Sequence, residues 1–439
     1  MQKLTLDNGF RLLYEKSIQG SETASIQIFC DIGSIHEPEK FRGAAHFIEH
    51  MTFKGTNKTP NSRDIALQFE KHGSNVNAFT DRRYTCYYVD VHKDNLESSI
   101  RAWADMLLNS IFDKHEYEKE HDVVREENQR AINDYEGICF ETADAQLYAG
   151  SPYEHEVDNI KYHIGKNPLS RETVFEVYKK YYVPSRMILS ICCPNPFEFV
   201  KNAVEKSDFS KAHPITSVFP PLILALTPQT NVVYKFNTKK SVSTTHICIG
   251  FRTCSVKNSD RYVLKVLKNI LGGKMSSRLF TILREDNGLT YSSAVYTDYY
   301  EHSGDFKIYA ECDTTKFFKN GKNPDGVFPL LLKLVRDLLK NGVKDEEVRL
   351  TKSYMKGKYD LKKGACSTRA FYNGENEMYQ MENPVPYDKK YETYIEPVSK
   401  KQIDEVIRKY FVRNGTVVSV VSNSSFDSKK MVRIAEGEL

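Results

Sequence analysis

Long apolar runs are missing from this sequence. Its longest purely apolar stretches, such as Leu222 to Leu226, fall far short of the roughly 20 residues that a membrane-spanning helix needs. Residues 1–9 contain neither the apolar core of a signal peptide nor the Arg-rich amphipathic pattern of a presequence. We therefore expect no membrane as a partner and a cytoplasmic location, although a processed, mature chain would have the same features.

The sequence also has no large excess of positive or negative charge. The chain has 62 Lys and Arg against 58 Asp and Glu, which gives a net charge of +4 at pH 7. This balance predicts no nucleic-acid partner, because such partners attract clustered positive charge. A length of 439 residues with 40% hydrophobic and 27% charged residues is typical of a globular protein of about two to three domains.

Paired cysteine motifs are the third absence. The nine cysteines form no Cys-x-x-Cys motif, and their number is odd. Cys30 and Cys86 lie within the alternating pattern of predicted strands. We therefore expect reduced, buried thiols and neither a disulfide framework nor a cysteine zinc site.

Hydrophobic periodicity predicts a regular order of elements in the first half of the chain. A strand covers residues 25–33, and a helix runs from Gly43 to about Thr52. The next helix is expected to start at Ser62 as its N-cap and to stop at Gly73. Strands at 75–80 and 84–91, an amphipathic helix at 96–107 and a helix that Asp113 opens complete this half.

The same order returns about 220 residues later, which indicates a duplication. The equivalent elements are a strand at 245–252, a helix through Val263 and Ile270, a helix from Ser276 to about Glu285, and strands at 289–296 and 304–311. We predict an N-terminal catalytic domain at 1–208 and a C-terminal domain of similar fold at 230–439. The linker between them, at 209–229, is rich in proline.

The segment from Gly43 to Met51 contains His46, Glu49 and His50. Residues at positions i, i+3 and i+4 share one face of a helix, so the two imidazoles would lie one turn apart as ligands of one zinc ion. Glu49 lies beside them, where a carboxylate can act as general base. Two exposed histidines on a surface helix remain the alternative interpretation, because the three-residue pattern alone is short.

A third ligand is needed for a catalytic zinc site, and Glu127 is the candidate. Glu120, Val124 and Glu127 lie at i, i+4 and i+7 on one predicted helix. We expect Glu127 to bind the metal and Glu120 to orient a ligand histidine from behind, although an ordinary surface ion pair is the alternative for Glu120.

With these residues in place, the sequence resembles the pitrilysin, insulinase and mitochondrial processing peptidase family. Between His50 and Glu127 lie 76 residues, which is the family spacing. Similarity extends to 50–56 and 75–80, and in the second half to 277–292, where Arg284 and Tyr291 are seven residues apart as in the family. The closest likeness is to the processing peptidase catalytic subunit and its single-chain bacterial homologues.

The resemblance implies an α+β fold of two homologous domains, each a mainly antiparallel sheet covered by helices, that form half of a peptidase clamshell. It implies a zinc metalloendopeptidase with one Zn2+ per chain that cleaves extended or unfolded peptides, including targeting presequences, in an enclosed chamber. Arg284 and Tyr291 would stabilise the reacting carbonyl. Phe53 would line a substrate pocket or simply pack in the core, and Asn77, Ala78, Phe79 and Thr80 would bind peptide as an edge strand.

Several implications stay open at this point. Asp134, Glu136 and Glu141 do not reproduce the positions that recognise arginine in presequences, so presequence specificity is open. We expect a homodimer, with a heterodimer as the alternative, and a mitochondrial matrix location if the chain is a processed form. The competing functions are an inactive scaffold subunit of the same family and a peptide-binding module without hydrolysis.

Overall fold

The computed structural model of the chain describes residues 1–157, 169–211, 232–239, 242–318, 325–423 and 426–438. The strands are β1 (Gln2–Thr5), β2 (Arg11–Lys16), β3 (Thr23–Cys30), β4 (Asn77–Thr80), β5 (Thr85–His92), β6 (Met187–Cys193), β7 (Val233–Thr238), β8 (Thr244–Thr253), β9 (Thr290–Tyr296), β10 (Gly304–Asp313) and β11 (Thr416–Ser422). The helices are α1 (Ala44–Thr52), α2 (Ser62–Glu70), α3 (Leu96–Leu108), α4 (Lys114–Ala131), α5 (Tyr135–Leu147), α6 (Arg171–Tyr181), α7 (Phe197–Glu205), α8 (Asp260–Leu271), α9 (Val327–Asn341), α10 (Asp345–Lys362), α11 (Cys366–Met378), α12 (Lys390–Tyr394), α13 (Lys400–Tyr410) and α14 (Ser428–Glu438).

These elements form two compact units, each discontinuous in sequence. Unit 1 comprises Met1–Arg130, His155–Ile223 and Asp360–Asp388, and unit 2 comprises Ala131–Glu154, Leu224–Tyr359 and Lys389–Leu439. Each unit thus takes in one helix from the opposite half of the sequence, α11 in unit 1 and α5 in unit 2. The division at 1–208 and 230–439 stays a prediction, and most of its linker lies outside the described residues.

Unit 1 is built on a six-stranded mixed sheet in the order β1-β2-β6-β3-β5-β4, with β4 at one edge. Only the β2–β6 pairing is parallel. Ile28 of β3 lies opposite Tyr87 and Leu189 and faces a core that includes residues of α1, α3, α6 and α7. Successive residues of a strand point to opposite faces, so Phe29 packs instead against Phe371 of α11.

Unit 2 has a five-stranded mixed sheet in the order β7-β11-β8-β10-β9, in which only β7–β11 is parallel. One face packs on α8, α9 and α13, and the other contacts α5. Gly250 of β8 permits this contact, because a Cβ at that position would come within 2.9 Å of the Leu147 side chain. The two mixed sheets covered by helices confirm the predicted α+β class.

The repeated element order is confirmed, with two local corrections. Asn61, and not Ser62, caps α2, because its side chain reaches the N–H of Asp64 at 2.9 Å. The expected helix at 276–285 is a π-helix over Phe280–Glu285, where the N–H of Asp286 bonds the carbonyl of Thr281. In the described part of the chain, no helix combines the length and apolar character needed to cross a bilayer.

Candidate metal centre

Helix α1 places His46 and His50 side by side in unit 1. Their Nε2 atoms are 3.3 Å apart, and their rings are perpendicular. The helix is anchored by its apolar side, where Phe47, Ile48 and Met51 are fully buried. The predicted arrangement of two imidazoles one turn apart is therefore present.

Helix α4 brings Glu127 to the same place. Its Oε2 lies 3.5 Å from Nε2 of His50, and one ligand atom from each of His46, His50 and Glu127 lies within 4.8 Å of the other two. Val124, one turn before Glu127, is buried in the unit 1 core and fixes the rotation of α4. Residues 77 positions apart thus form one cluster.

The donor atoms of this cluster fit a zinc ion. Nδ1 of His50 is 3.0 Å from Oε2 of Glu120, so in the neutral imidazole the lone pair lies on Nε2, which faces His46 and Glu127. Two imidazole nitrogens and one carboxylate are the three protein ligands that catalytic zinc sites use. An electron-rich cluster of this kind is stabilised by a bound cation.

Glu120 and Lys54 extend the site behind His50. Glu120 is 5% exposed, and its Oε1 lies 2.5 Å from Nζ of Lys54. Burial opposes the charged form of Glu120, but hydrogen bonds from His50 and Lys54 keep its pKa below the usual value. Burial likewise disfavours charged His50, yet the bond to Glu120 and the charge of Glu127 raise the pKa of His50. The structure thus places Glu120 where a residue that orients His50 would lie.

Glu49 is held next to the ligands by the sheet. Its Oε2 accepts a 2.6 Å hydrogen bond from Oγ1 of Thr80, the last residue of β4. The hydroxyl of neighbouring Thr85 donates instead to the carbonyl of Ile32, so it does not compete for the carboxylate. In the described part of the chain, the bond from Thr80 engages Oε2 and leaves the second carboxylate oxygen, Oε1, without a hydrogen bond.

Strand β4, which contains the four predicted peptide-binding residues, is an edge of the unit 1 sheet. At this edge the side chain of Asn77 accepts the N–H of Ala78 at 2.8 Å. Phe53 follows α1 and packs against the rings of Tyr87 and Trp103, with centroids 6.1 and 6.0 Å away. Phe53 is therefore partly buried against the unit 1 core.

Arg284 and Tyr291 lie together in unit 2. Nη1 of Arg284, at the end of the π-helix, donates to the main-chain carbonyl of Tyr291 on β9 at 3.1 Å. The Tyr291 side chain is 58% exposed, so its hydroxyl is accessible within this unit. The two residues that the resemblance singles out are therefore in contact, and their role in catalysis stays a prediction.

Three further residues were not predicted: Lys54, Thr80 as a partner of Glu49, and Glu37. Both carboxylate oxygens of Glu37 accept backbone N–H groups at the start of α1, from Gly43 at 2.7 Å and from Ala45 at 2.6 Å. Burial raises the pKa of Glu37 to about 8, against the opposing effect of these two bonds. No short sequence pattern links these residues to the site, because Lys54 and Thr80 reach it through tertiary contacts and Glu37 through a local loop.

Unit 1 thus contains a His-His-Glu cluster whose ligand atoms are close enough to hold a metal ion. A family model described as "Insulinase (Peptidase family M16)" matches residues 13–159, and one described as "Peptidase M16 inactive domain" matches residues 168–355. The zinc protease YmxG of Bacillus subtilis is 30% identical over 380 residues, which cover 86% of this chain and 88% of that protein. The chain therefore belongs to the insulinase family of zinc proteases, peptidase family M16.

Other relatives extend the comparison. The β subunit of the mitochondrial-processing peptidase of Dictyostelium discoideum is 28% identical over 331 residues, 70% of this chain and 66% of that protein. A protease from Helicobacter pylori has the same fold, with a TM-score of 0.87 at 18% identity over 96% of this chain and 99% of that one. The periplasmic protease PqqL of Escherichia coli matches with a TM-score of 0.78 at 15% identity, over all of this chain but 50% of PqqL.

Proposed function

We propose that this protein is a zinc endopeptidase of the inverted His-x-x-Glu-His type that cleaves extended or unfolded peptides. The observation that carries the proposal is the grouping of the His46, His50 and Glu127 ligand atoms within 4.8 Å, with Glu49 fixed beside them. The names of the relatives, among them a zinc protease and a processing peptidase subunit, support the same activity.

In this proposal His46, His50 and Glu127 hold one zinc ion per chain, which leaves room for substrate because only three protein groups are used. A zinc ion in such a site supplies Lewis-acid catalysis to the hydrolysis of an amide. Glu120 holds the tautomer and ring orientation of His50 from behind, through the 3.0 Å contact with Nδ1.

Glu49 is the general base. Thr80 occupies Oε2 and holds the carboxylate in place, so Oε1 takes the proton of the attacking water and later delivers it to the leaving amine. A carboxylate held by a neutral hydroxyl keeps its orientation without an ion pair that would neutralise it.

The peptide binds by strand addition to β4, whose outer edge offers main-chain groups for pairing. Strand addition recognises backbone and therefore requires an extended, unfolded substrate. Thr80 belongs to the strand that binds peptide and also bonds Glu49, so the substrate would lie along the base. Phe53 contributes an aromatic wall to the pocket near the site.

Arg284 and Tyr291 supply donors to the developing oxyanion in the complete enzyme. Because PqqL contains about two lengths of this chain, we propose that two copies form a homodimer and enclose the peptide in a chamber. The relative named as a processing peptidase subunit supports a heterodimer as the alternative assembly.

Metal analysis and peptide cleavage test the proposal together. His50→Ala should lose zinc and activity, whereas Glu49→Gln should keep zinc and bind peptide but lose roughly 10²–10⁴-fold in turnover. Glu118→Gln, an exposed change on α4, is the matched control and should behave as wild type. Zinc binding without any cleavage by the wild type would identify a scaffold or peptide-binding protein instead. Full turnover by Glu49→Gln would move the base elsewhere.

A further inference from the structure

Glu37 is a buried carboxylate outside the metal motif. It lies nine residues before His46, is 8% exposed, and makes two short hydrogen bonds to the backbone of α1. Its position on the far side of the helix N-terminus gives it no contact with the three ligands or with Glu49 among the described residues. The proposed chemistry does not use it.

The N-terminus of α1 depends on this carboxylate. The first N–H groups of a helix have no partner within the helix and need a cap. The N-cap position is Gly43, which has no side chain to act as a cap and adopts a left-handed conformation with φ of 87°. Glu37 supplies the missing acceptors, one oxygen for the N–H of Gly43 and the other for that of Ala45.

Burial of the Glu37 carboxyl group costs free energy, so its two hydrogen bonds to the backbone of α1 are a specific feature of this fold. A buried carboxylate loses its hydration, and the two backbone donors offset only part of that loss, since the pKa of Glu37 stays raised to about 8. The two N–H groups lie at the positive end of the helix dipole, which favours a negative charge there. With both oxygens engaged, the carboxylate fixes the position of the first turn of α1 along and around its axis. His46 is the residue directly after Ala45.

We propose that Glu37 is a positioning residue of the metal site: by holding the N-terminus of α1 at two points, it sets where His46 and His50 present their Nε2 atoms to Glu127. This inference rests on the proposed function, since it requires these three residues to bind zinc. Glu37 acts through the helix backbone and touches neither metal nor substrate.

Three variants separate positioning from charge. Glu37→Gln keeps the size but has one acceptor, and its NH₂ group faces the second backbone N–H. Glu37→Asp keeps the carboxyl group but is one methylene too short to reach both N–H groups. Glu39→Gln removes a charge from an exposed position two residues away and is the matched control.

Zinc affinity by chelator competition is the main measurement, together with the visible spectrum of the Co2+ form and amide hydrogen exchange of α1. We expect Glu37→Gln and Glu37→Asp both to weaken zinc binding by about 10–100-fold, the range typical of residues that orient ligands. Both should alter the Co2+ spectrum and speed exchange in the first turn of α1, while Glu39→Gln matches wild type.

Zinc affinity and unfolding midpoint together distinguish a positioning role of Glu37 from a purely structural one. The positioning role would be overturned by wild-type zinc affinity in a folded Glu37→Gln chain, or in Glu37→Asp alone. A lowered unfolding midpoint with unchanged zinc affinity would show that Glu37 has a purely structural role. If Glu37→Gln fails to fold, exchange in zinc-free wild type decides: protected amides at Gly43 and Ala45 support the proposal, and unprotected ones overturn it. A wild type that binds no zinc at His46, His50 and Glu127 would instead refute the proposed function.

Discussion

Substitution of Glu120 by Gln tests the support behind the metal site most directly. Glu120 uses one oxygen for His50 Nδ1 at 3.0 Å and the other for Lys54 Nζ at 2.5 Å. Gln has a single acceptor oxygen. If that oxygen faces His50, the NH₂ group meets the Lys54 ammonium, and if it faces Lys54, the NH₂ group meets the imidazole N–H. One of the two contacts is lost in either orientation.

The size of the effect follows from burial. Glu120 is 5% exposed, so water cannot readily replace the lost contact. Loss of a partner that orients a metal ligand costs about 10–100-fold in metal affinity, which corresponds to about 1.4–2.8 kcal/mol. We therefore expect Glu120→Gln to bind zinc about 10–100-fold more weakly than wild type in a competition titration against a chromophoric chelator.

A second substitution makes the test sharper. In Glu120→Gln combined with Lys54→Met, the ammonium is gone, and the amide oxygen is free to accept from His50. The double variant should then bind zinc more tightly than Glu120→Gln alone, by more than Lys54→Met by itself raises the affinity, and this difference measures the coupling. Glu118→Gln on the exposed face of α4 serves as control. Equal zinc affinity for the Glu118 and Glu120 variants would refute the reasoning.

Further expectations concern Tyr291 and the buried ion cluster around Lys307, both in unit 2. Tyr291→Phe should lower turnover by roughly 10²–10³-fold with unchanged zinc content, as for one oxyanion donor. Mixing Tyr291→Phe chains with Glu49→Gln chains should restore some activity only if Tyr291 and Glu49 of one active site come from different chains. A fully active monomer would contradict the proposed dimer. Lys307 is 3% exposed and lies 2.8 Å from Asp144, so Lys307→Met should cost roughly 3–5 kcal/mol in urea unfolding. Burial raises the pKa of neighbouring Asp305 to about 7, above its unfolded value of about 3.9, so the folded state binds this proton more tightly. The free energy of unfolding should therefore fall as pH rises from about 4 to 7. Asp305→Asn should show a smaller fall over the same range.

The ligands could be predicted from the sequence because helix geometry fixes the relation of His46 and His50 within one turn. Glu127 is 77 residues from His50, and both its helix face, shared with Glu120 and Val124, and the family spacing pointed to it. The structure adds the physical reason, since buried Val124 sets the rotation of α4. The edge position of β4 also followed from the resemblance and not from its own pattern.

The rest could not be predicted because it depends on side-chain contacts that the fold creates, between distant segments for Lys54 and Thr80 and across a local loop for Glu37. Glu37, Lys54 and Thr80 are ordinary residues in sequence and acquire roles only when the chain folds. Helix α11 shows the same limit for the fold, because its buried face is partly polar. Arg369 pairs there with Glu15 and Asp388, and Asn373 bonds Glu15, so no apolar stripe marks this helix as a covering layer of unit 1.

The shortness of β4 also matters for solubility. An exposed strand edge invites pairing with any extended chain, including another copy of the same protein, and proteins restrain such edges by keeping them short. β4 has four residues, and Asn77 already occupies the N–H of Ala78. An incoming strand therefore gains few main-chain bonds and must displace one. Such an edge resists uncontrolled aggregation, and in the proposed enzyme it would hold a peptide through few main-chain bonds, so that the cleaved pieces can dissociate.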